Sequence, residues 1–374
     1  MPPLLDSTPA LIKFIYQLLG VAQFTFTTSP TEFLKIRSRL WCFVSYAFFI
    51  YLCVSYNLSV HPSSEVFTYL DLLVNCGNIT YMIVFTTIFY KRSNKLETLL
   101  NQIQRIELDV PLSIRTKQTW IRMILLTTVS AMLICFPFRE LPFYSVIYFI
   151  YPCIVNCFDN LFINDVFSCI CDKFKTINLQ LERINSVDLL RIFPLTKIDK
   201  IHVLEKEETD YNIQVIEQLS HYHYNLVMLT SETLKEFEVT ILVAMVQWFL
   251  NMIDGNYTLI YLIKDNKIGS VRFTSNVTYV AFLMSWLYAI IAKMNETREV
   301  AARGGSFIHD VWNRYSFKGI IDKRIRHLEL FSIRMLCTRV DCNVKGFFSL
   351  DFTFFHLMVA AVTTYMVILL QFGM

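Results

Sequence analysis

Three sets of polar residues, each spaced to share one face of a helix, stand inside stretches otherwise apolar enough to cross a membrane. Asp71, Asn75 and Asn78 fall at i, i+4 and i+7, and so do Gln247, Asn251 and Asp254. Thr364 and Gln371 lie seven apart, with Ala361 and Ile368 completing the same line. A carboxylate or amide in hydrocarbon must meet a partner helix or a wet cavity. The chemistry on offer is therefore hydrogen bonding, either between helices or to a polar solute. Aromatic residues flank the first two sets. Tyr144, Tyr148 and Tyr151 share a face, which reads as interfacial packing or as the wall of a binding site. Trp248 and Trp286 lie in the same stretches as Gln247 and Ser285. Gln371 sits within a turn of a helix end, where interfacial water or a water-filled path would satisfy its amide.

Signs of catalysis or metal binding are thin. His221-Tyr222-His223 lacks the i, i+4 spacing of a helical metal pair, and no HExxH or CxxC occurs. Gly304-Gly305 is no phosphate loop, and reads instead as the end or hinge of a helix. The sequence predicts no enzyme, no cofactor and no metal site. Its basic segments suit membrane topology and anionic lipid rather than nucleic acid.

The elements that must hold these residues follow from composition. Of 374 residues 54% are hydrophobic and 32 are Phe, and the mean hydropathy is +0.44. Seven runs are long enough to span about 30 Å of hydrocarbon: 40–60, 67–90, 120–138, 143–166, 239–262, 274–294 and 353–372. Lys and Arg alternate across them. Thirty of the 34 fall in residues 1–39, 91–122, 167–238 and 293–346, and four in the loops between. The positive-inside rule puts the N-terminus in the cytoplasm and the C-terminus outside. That is the reverse of a G-protein-coupled receptor. The intervening loops hold no Cys, so the ten cysteines form no disulfide framework, and Cys169 and Cys171 read as unmodified thiols at a helix end rather than as palmitoylation sites.

The fold class is an all-α membrane protein of seven transmembrane helices. Residues 1–39 form a cytoplasmic N-terminal segment, in which 10–28 read as a short helix on the inner surface or beneath the bundle. Residues 40–166 carry helices one to four, and 239–294 carry five and six. Between and after them, 167–238 and 295–352 are charged, amphipathic and helical, which predicts a cytoplasmic anchor domain in which the two segments pack together. Residues 353–374 hold the last helix. Asp159, Asn160, Asn164 and Asp165 fall towards the cytoplasmic end of the fourth run, where they can reach water. The polar and aromatic stripes on outer halves predict a cavity lined by Asp71, Asn75, Tyr144, Tyr148, Gln247, Trp248, Asn251, Asp254 and Trp286. Sequons stand at Asn57 and Asn276 on the outward side, close to the membrane.

The closing residues Thr364-Tyr365, five apolar positions, then Gln371-Phe372 resemble the TYhhhhhQF signature of insect gustatory receptors, where h is hydrophobic. The approach, Gly346-Phe347-Phe348-Ser349-Leu350-Asp351-Phe352-Thr353, is similar to that family's entry into its last helix. The resemblance is sharp over about Phe331–Phe372 and architectural elsewhere. It implies the insect chemoreceptor channel fold and a plasma-membrane, ligand-gated, non-selective cation channel of gustatory neurons. It implies a homotetramer or heterotetramer opened by a small-molecule tastant, with Thr364, Ile368, Gln371 and Phe372 as pore and gate. The family's sugar receptors usually carry Glu after the TY pair, where this chain has Met366. That departure favours a bitter-type or fructose-type ligand. The competing class is a transporter or orphan seven-span protein carrying a small polar solute. An inverted internal repeat would favour it, and none is visible.

Overall fold

The computed structural model describes Tyr16, Val44, Ala47, Phe48, Tyr51 and residues 65–106, 143–190, 201–317 and 323–373. The side chains of Asp71, Tyr144, Tyr148 and Phe372 lie outside the description, as do the run 120–138 and the sequon at Asn57. The described segments form α1 (Glu65–Arg105), α2 (Phe143–Leu190), α3 (Ile201–Lys264), α4 (Val271–Phe317) and α5 (Lys323–Cys337). A two-stranded hairpin, β1 (Asn343–Val344) and β2 (Phe348–Ser349), precedes α6 (Phe352–Gly373).

Helix length is the first determinant of this architecture. The 64 residues of α3 extend about 95 Å at 1.5 Å each, three times a hydrocarbon core. Helices α2 and α4, of 48 and 47 residues, overrun it as well. The stretches apolar and long enough to cross are Ile154–Ile184, Gln214–Lys264, Val271–Asp310 and Phe352–Gln371, with a shorter apolar one at Leu73–Val84. Each long helix thus changes surroundings along its length without breaking.

Near one end of these stretches the long helices bind one another. Lys175 of α2 pairs with Glu296 of α4 at 2.5 Å, and Asn178 donates to the Val300 carbonyl at 2.7 Å. His223 of α3 bonds the Ala301 carbonyl at 2.9 Å. The Arg334 guanidinium of α5 lies 3.7 Å from the centre of the Tyr224 ring. These contacts converge near Gly304. A Cβ there would stand 3.0 Å from Asn178 Oδ1, 3.0 Å from Met335 Cε and 3.1 Å from His223 Cδ2. Gly304 therefore neither ends nor hinges a helix, contrary to the sequence expectation. It lies inside the continuous α4 and permits a close helix crossing.

The turns are set by local chemistry. Helix α3 ends on Asn266, whose φ of 55° is the left-handed conformation that Asn tolerates. Asn266 N donates to Ile263 O at 3.0 Å and Lys267 N to Leu262 O at 2.9 Å, the two bonds of a Schellman cap. Ser270 then caps α4, accepting from Phe273 N at 3.2 Å. Asp351 does the same for α6, accepting from Phe354 N at 3.0 Å. The hairpin before α6 turns at Lys345 and Gly346, with φ of 51° and 77°, and Lys345 reaches Glu238 of α3 at 3.3 Å. The foot of the last helix is tied by charge to α3.

Tyr16 shows where part of the N-terminal segment goes. It is helical and fully buried. Its ring stands edge-on to Phe158 and Phe162, and its hydroxyl donates to Asp165 at 3.0 Å.

Candidate functional site

Three helices contribute amide side chains to one place in the apolar zone. Asn156 and Asn160 lie one turn apart on α2, and Gln247 and Asn251 one turn apart on α3. Asn78 approaches from α1. Gln247 joins them: its Nε2 donates to Asn78 Oδ1 at 2.5 Å, and its Oε1 accepts from Asn156 Nδ2 at 3.2 Å. Asn160 Nδ2 in turn donates to Asn156 Oδ1 at 2.6 Å. The chain of amides runs head to tail, donor to acceptor, across α1, α3 and α2. All four amide residues are buried, so an unpaired group here would carry its full desolvation cost.

On the other side of Gln247 the amides give way to aromatic surface. A cavity is lined by Asn156, Cys157 and Asn160 of α2, Gln247, Trp248 and Asn251 of α3, and Phe282, Leu283 and Trp286 of α4. The volume open to the centre of a water-sized sphere is about 10 Å³, room for roughly one water. The lining contains no ionisable acid or base other than the Cys157 thiol. Trp286 is buried, its ring edge-on to Phe282 at 5.9 Å, and its Nε1 has no acceptor among the described residues.

Of the nine residues expected to line a pocket, the structure brings together Gln247, Trp248, Asn251 and Trp286. Asn75 is buried on α1 with no partner for Oδ1 among the described residues, and it is not on the cavity wall. Asp254 is half-buried and also off the wall. Asp71, Tyr144 and Tyr148 are placed only on their helices. Asn156, Cys157, Asn160, Phe282 and Leu283 were missed. The i, i+4 pair Asn156 and Asn160 was visible, yet Asn160 was assigned with Asp159 to a water-reaching end. That expectation is overturned. Asp159 is fully buried and accepts from the Tyr81 hydroxyl at 3.1 Å, and Asn160 is 2% exposed.

The last helix stands apart from this site. Val362 and Met366 are buried, whereas Thr364, Tyr365, Ile368 and Gln371 are exposed in the single chain. Tyr365 leans edge-on against Phe249 of α3 at 5.5 Å. Thr364 spends its hydroxyl on Ala360 O of its own helix, at 2.9 Å. The Tyr365 side is therefore steered towards α3, about 100° from the Thr364–Gln371 face.

The profile of the family described as 7tm chemosensory receptor matches residues 11–374. The chain belongs to that family. It is 21% identical over 166 residues to putative gustatory receptor 28b of Drosophila melanogaster, a stretch that is 42% of this chain and 34% of that relative. The chain thus matches about a third of the relative's length. Among solved structures, the insect olfactory receptor OR5 from Machilis hrabei superposes with a TM-score of 0.69 at 13% identity, covering 98% of both chains. The same receptor in complex with eugenol gives 0.68 at 13% identity over 96% of this chain and 97% of that one. At such identity the likeness establishes the fold, and the fold is that of an insect olfactory receptor. The chemosensory receptor chain is a multi-pass membrane protein whose described helices are arranged as in that receptor.

Proposed function

We propose that this chemosensory receptor is of the gustatory type: a ligand-gated, poorly selective cation channel in the plasma membrane, opened by a small-molecule tastant. The observation that carries the reading is the cavity between α2, α3 and α4, walled by hydrogen-bonding amides and two tryptophans. The N-terminus is cytoplasmic and the C-terminus outside, as the charge distribution requires. Four copies, of this chain alone or with related receptors, surround a pore lined by α6. Thr364 and Ile368 lie along its wall, and Gln371 and Phe372 form the gate at its outer end.

The closed cavity admits roughly one water, so a tastant must part the helices it enters between. It then shifts the closed–open equilibrium by its differential affinity for the parted state. Moving a channel from 1:99 to 99:1 takes about 5.5 kcal/mol. Four sites would supply roughly 1.4 kcal/mol each, about the net worth of one hydrogen bond. Movement of α3 reaches the pore helix directly where Phe249 meets Tyr365, and by way of the preceding hairpin where Glu238 meets Lys345.

The test is current from the purified protein in planar bilayers, with calcium entry into expressing cells as the screen for agonists. Agonist-dependent unitary currents support the channel. Solute flux that saturates, without unitary currents, would make the protein a carrier. Epitope tags before Met1 and after Met374 report the orientation: the C-terminal tag labels on intact cells, and the N-terminal one only after permeabilisation.

A further inference from the structure

The cavity says something about ligand chemistry that membership of a receptor family does not. Its wall holds four amide side chains, two indoles, a phenyl ring, a leucine and a thiol, and no carboxylate or cation among the described residues. A protonated amine entering it would leave water without a counter-charge, and a carboxylate would do the same. Desolvating an unpaired ion costs far more than the hydrogen bonds an amide can return. An uncharged solute meets no such barrier.

The amides are largely committed to each other, since Gln247 Nε2, Asn156 Nδ2 and Asn160 Nδ2 already donate within the chain. The Trp286 N–H is different. It is a donor only, its residue is 4% exposed, and it has no acceptor among the described residues. An unpartnered donor of this kind, buried on a residue of the cavity wall, is available to what parts the helices there. We infer that the site selects small uncharged ligands carrying a hydroxyl, ether or carbonyl oxygen, which accepts from Trp286 Nε1, while Trp248 and Phe282 cover the ligand's apolar part. Asn78 acts at one remove. It lies off the wall and fixes which end of the Gln247 amide faces α1, leaving Oε1 towards Asn156.

This inference rests on the cavity's being the ligand site, so its test reads binding and leaves gating aside. The full chain is purified in detergent, and its thermal unfolding midpoint is titrated with three probes of similar shape: cyclohexanone, cyclohexylammonium and methylcyclohexane. Cyclohexanone should bind, and about tenfold more weakly to Trp286→Phe, which keeps a six-membered aromatic ring and loses the N–H with the rest of the indole. Methylcyclohexane should bind wild type and variant alike, below cyclohexanone, and cyclohexylammonium should give no shift. Equal cyclohexanone affinity in wild type and Trp286→Phe would overturn the role of the N–H. A shift by cyclohexylammonium matching that of cyclohexanone would overturn the exclusion of charge. No cyclohexanone shift at all would overturn the inference. If Trp286→Phe does not fold, the wild-type comparison decides: cyclohexanone no tighter than methylcyclohexane refutes the acceptor. A protein that binds cyclohexanone as expected yet passes no current would refute the channel and leave this inference standing.

Discussion

Helices α3 and α6 are both apolar enough to cross a membrane, and they satisfy that apolarity in opposite ways. In α3, 61% of the apolar window is buried within the chain, against 11% in α6. Their side-chain amides add to the difference, although Thr230, Ser231 and Thr233 of α3 also turn back to their own helix. Gln247 of α3 bonds to other helices, whereas Thr363 and Thr364 of α6 turn back to the carbonyls of Val359 and Ala360, each at 2.9 Å. Helix α3 is thus positioned by its own chain, through side-chain amides that specify which neighbours it touches. Helix α6 is finished internally, presents Leu357, Val367 and Ile368 outward, and takes its surroundings from lipid or from other copies. Under the proposed function, such a subunit would keep its ligand site inside one chain and leave its conducting surface to be completed by assembly.

If that contrast is right, substitutions on the α3 side should cost stability, and those on α6 should alter function with little cost in folding. The largest effect should come from Gly304→Val, at the crossing of α2, α3, α4 and α5. A Cβ is already tight against Asn178, His223 and Met335, and valine adds two further methyls to it. Overpacking of this kind costs about 1–3 kcal/mol. The thermal midpoint of the solubilised protein should fall by several degrees. Gly269→Ala is the control, because nothing lies within 4 Å of its Cβ position, and it should leave the midpoint unchanged. Equal midpoints for both variants would show the crossing to be looser than the contrast requires.

Next comes Gln247→Leu. It keeps approximate volume, removes both bonds at the hub, and leaves Asn78 Oδ1 and Asn156 Nδ2 facing apolar surface. Interhelical hydrogen bonds in membranes are worth about 0.6 kcal/mol on average and at most about 1.7. The loss should therefore be about 1–3 kcal/mol. A double-mutant cycle with Asn78→Leu should recover part of it, since a matched apolar pair strands one group fewer. Additive losses would place the two residues in separate contacts.

The same comparison shows why some of this was legible in sequence and some was not. An i, i+4, i+7 stripe reveals that residues share a face, so Gln247 and Asn251 could be read as neighbours on one wall. The hydropathy of 353–372 revealed a spanning helix without any knowledge of its partners. Periodicity does not say which way a face turns, so residues of one stripe can part company. Asn78 and Asn75 belong to one stripe, yet only Asn78 reaches Gln247. Asp254 continues the line of Asn251 but lies beyond the cavity. Asn160 was misplaced because α2 runs 48 residues without interruption, so a polar cluster in its middle looked like the approach to water. Gly304 was misread because a glycine pair marks a breaker only where no close crossing needs it. Each miss concerns a contact between helices far apart in sequence, which no single helix encodes.

The smallest effect on folding, and the most specific effect on function, is expected at the end of α6. Gln371 is exposed in the single chain, so Gln371→Glu should leave the thermal midpoint within about 0.5 kcal/mol of wild type, as surface changes do. In an assembly of four, the same substitution sets up to four carboxylates around one axis. A ring of that kind attracts cations and favours divalent over monovalent ones. Phe372→Ala removes four rings from the same level and should wet a constriction closed by dewetting, giving current without agonist. Reversal potentials in mixed sodium and calcium, at matched surface expression, measure the first effect, and holding current before agonist measures the second. Folding that is unchanged together with a raised calcium permeability would place Gln371 on the conducting surface and put Tyr365, already leaning on Phe249, at its back. Unchanged permeability ratios in Gln371→Glu, with no leak in Phe372→Ala, would mean that the exposed face of α6 meets lipid. The pore would then have to be sought on another helix.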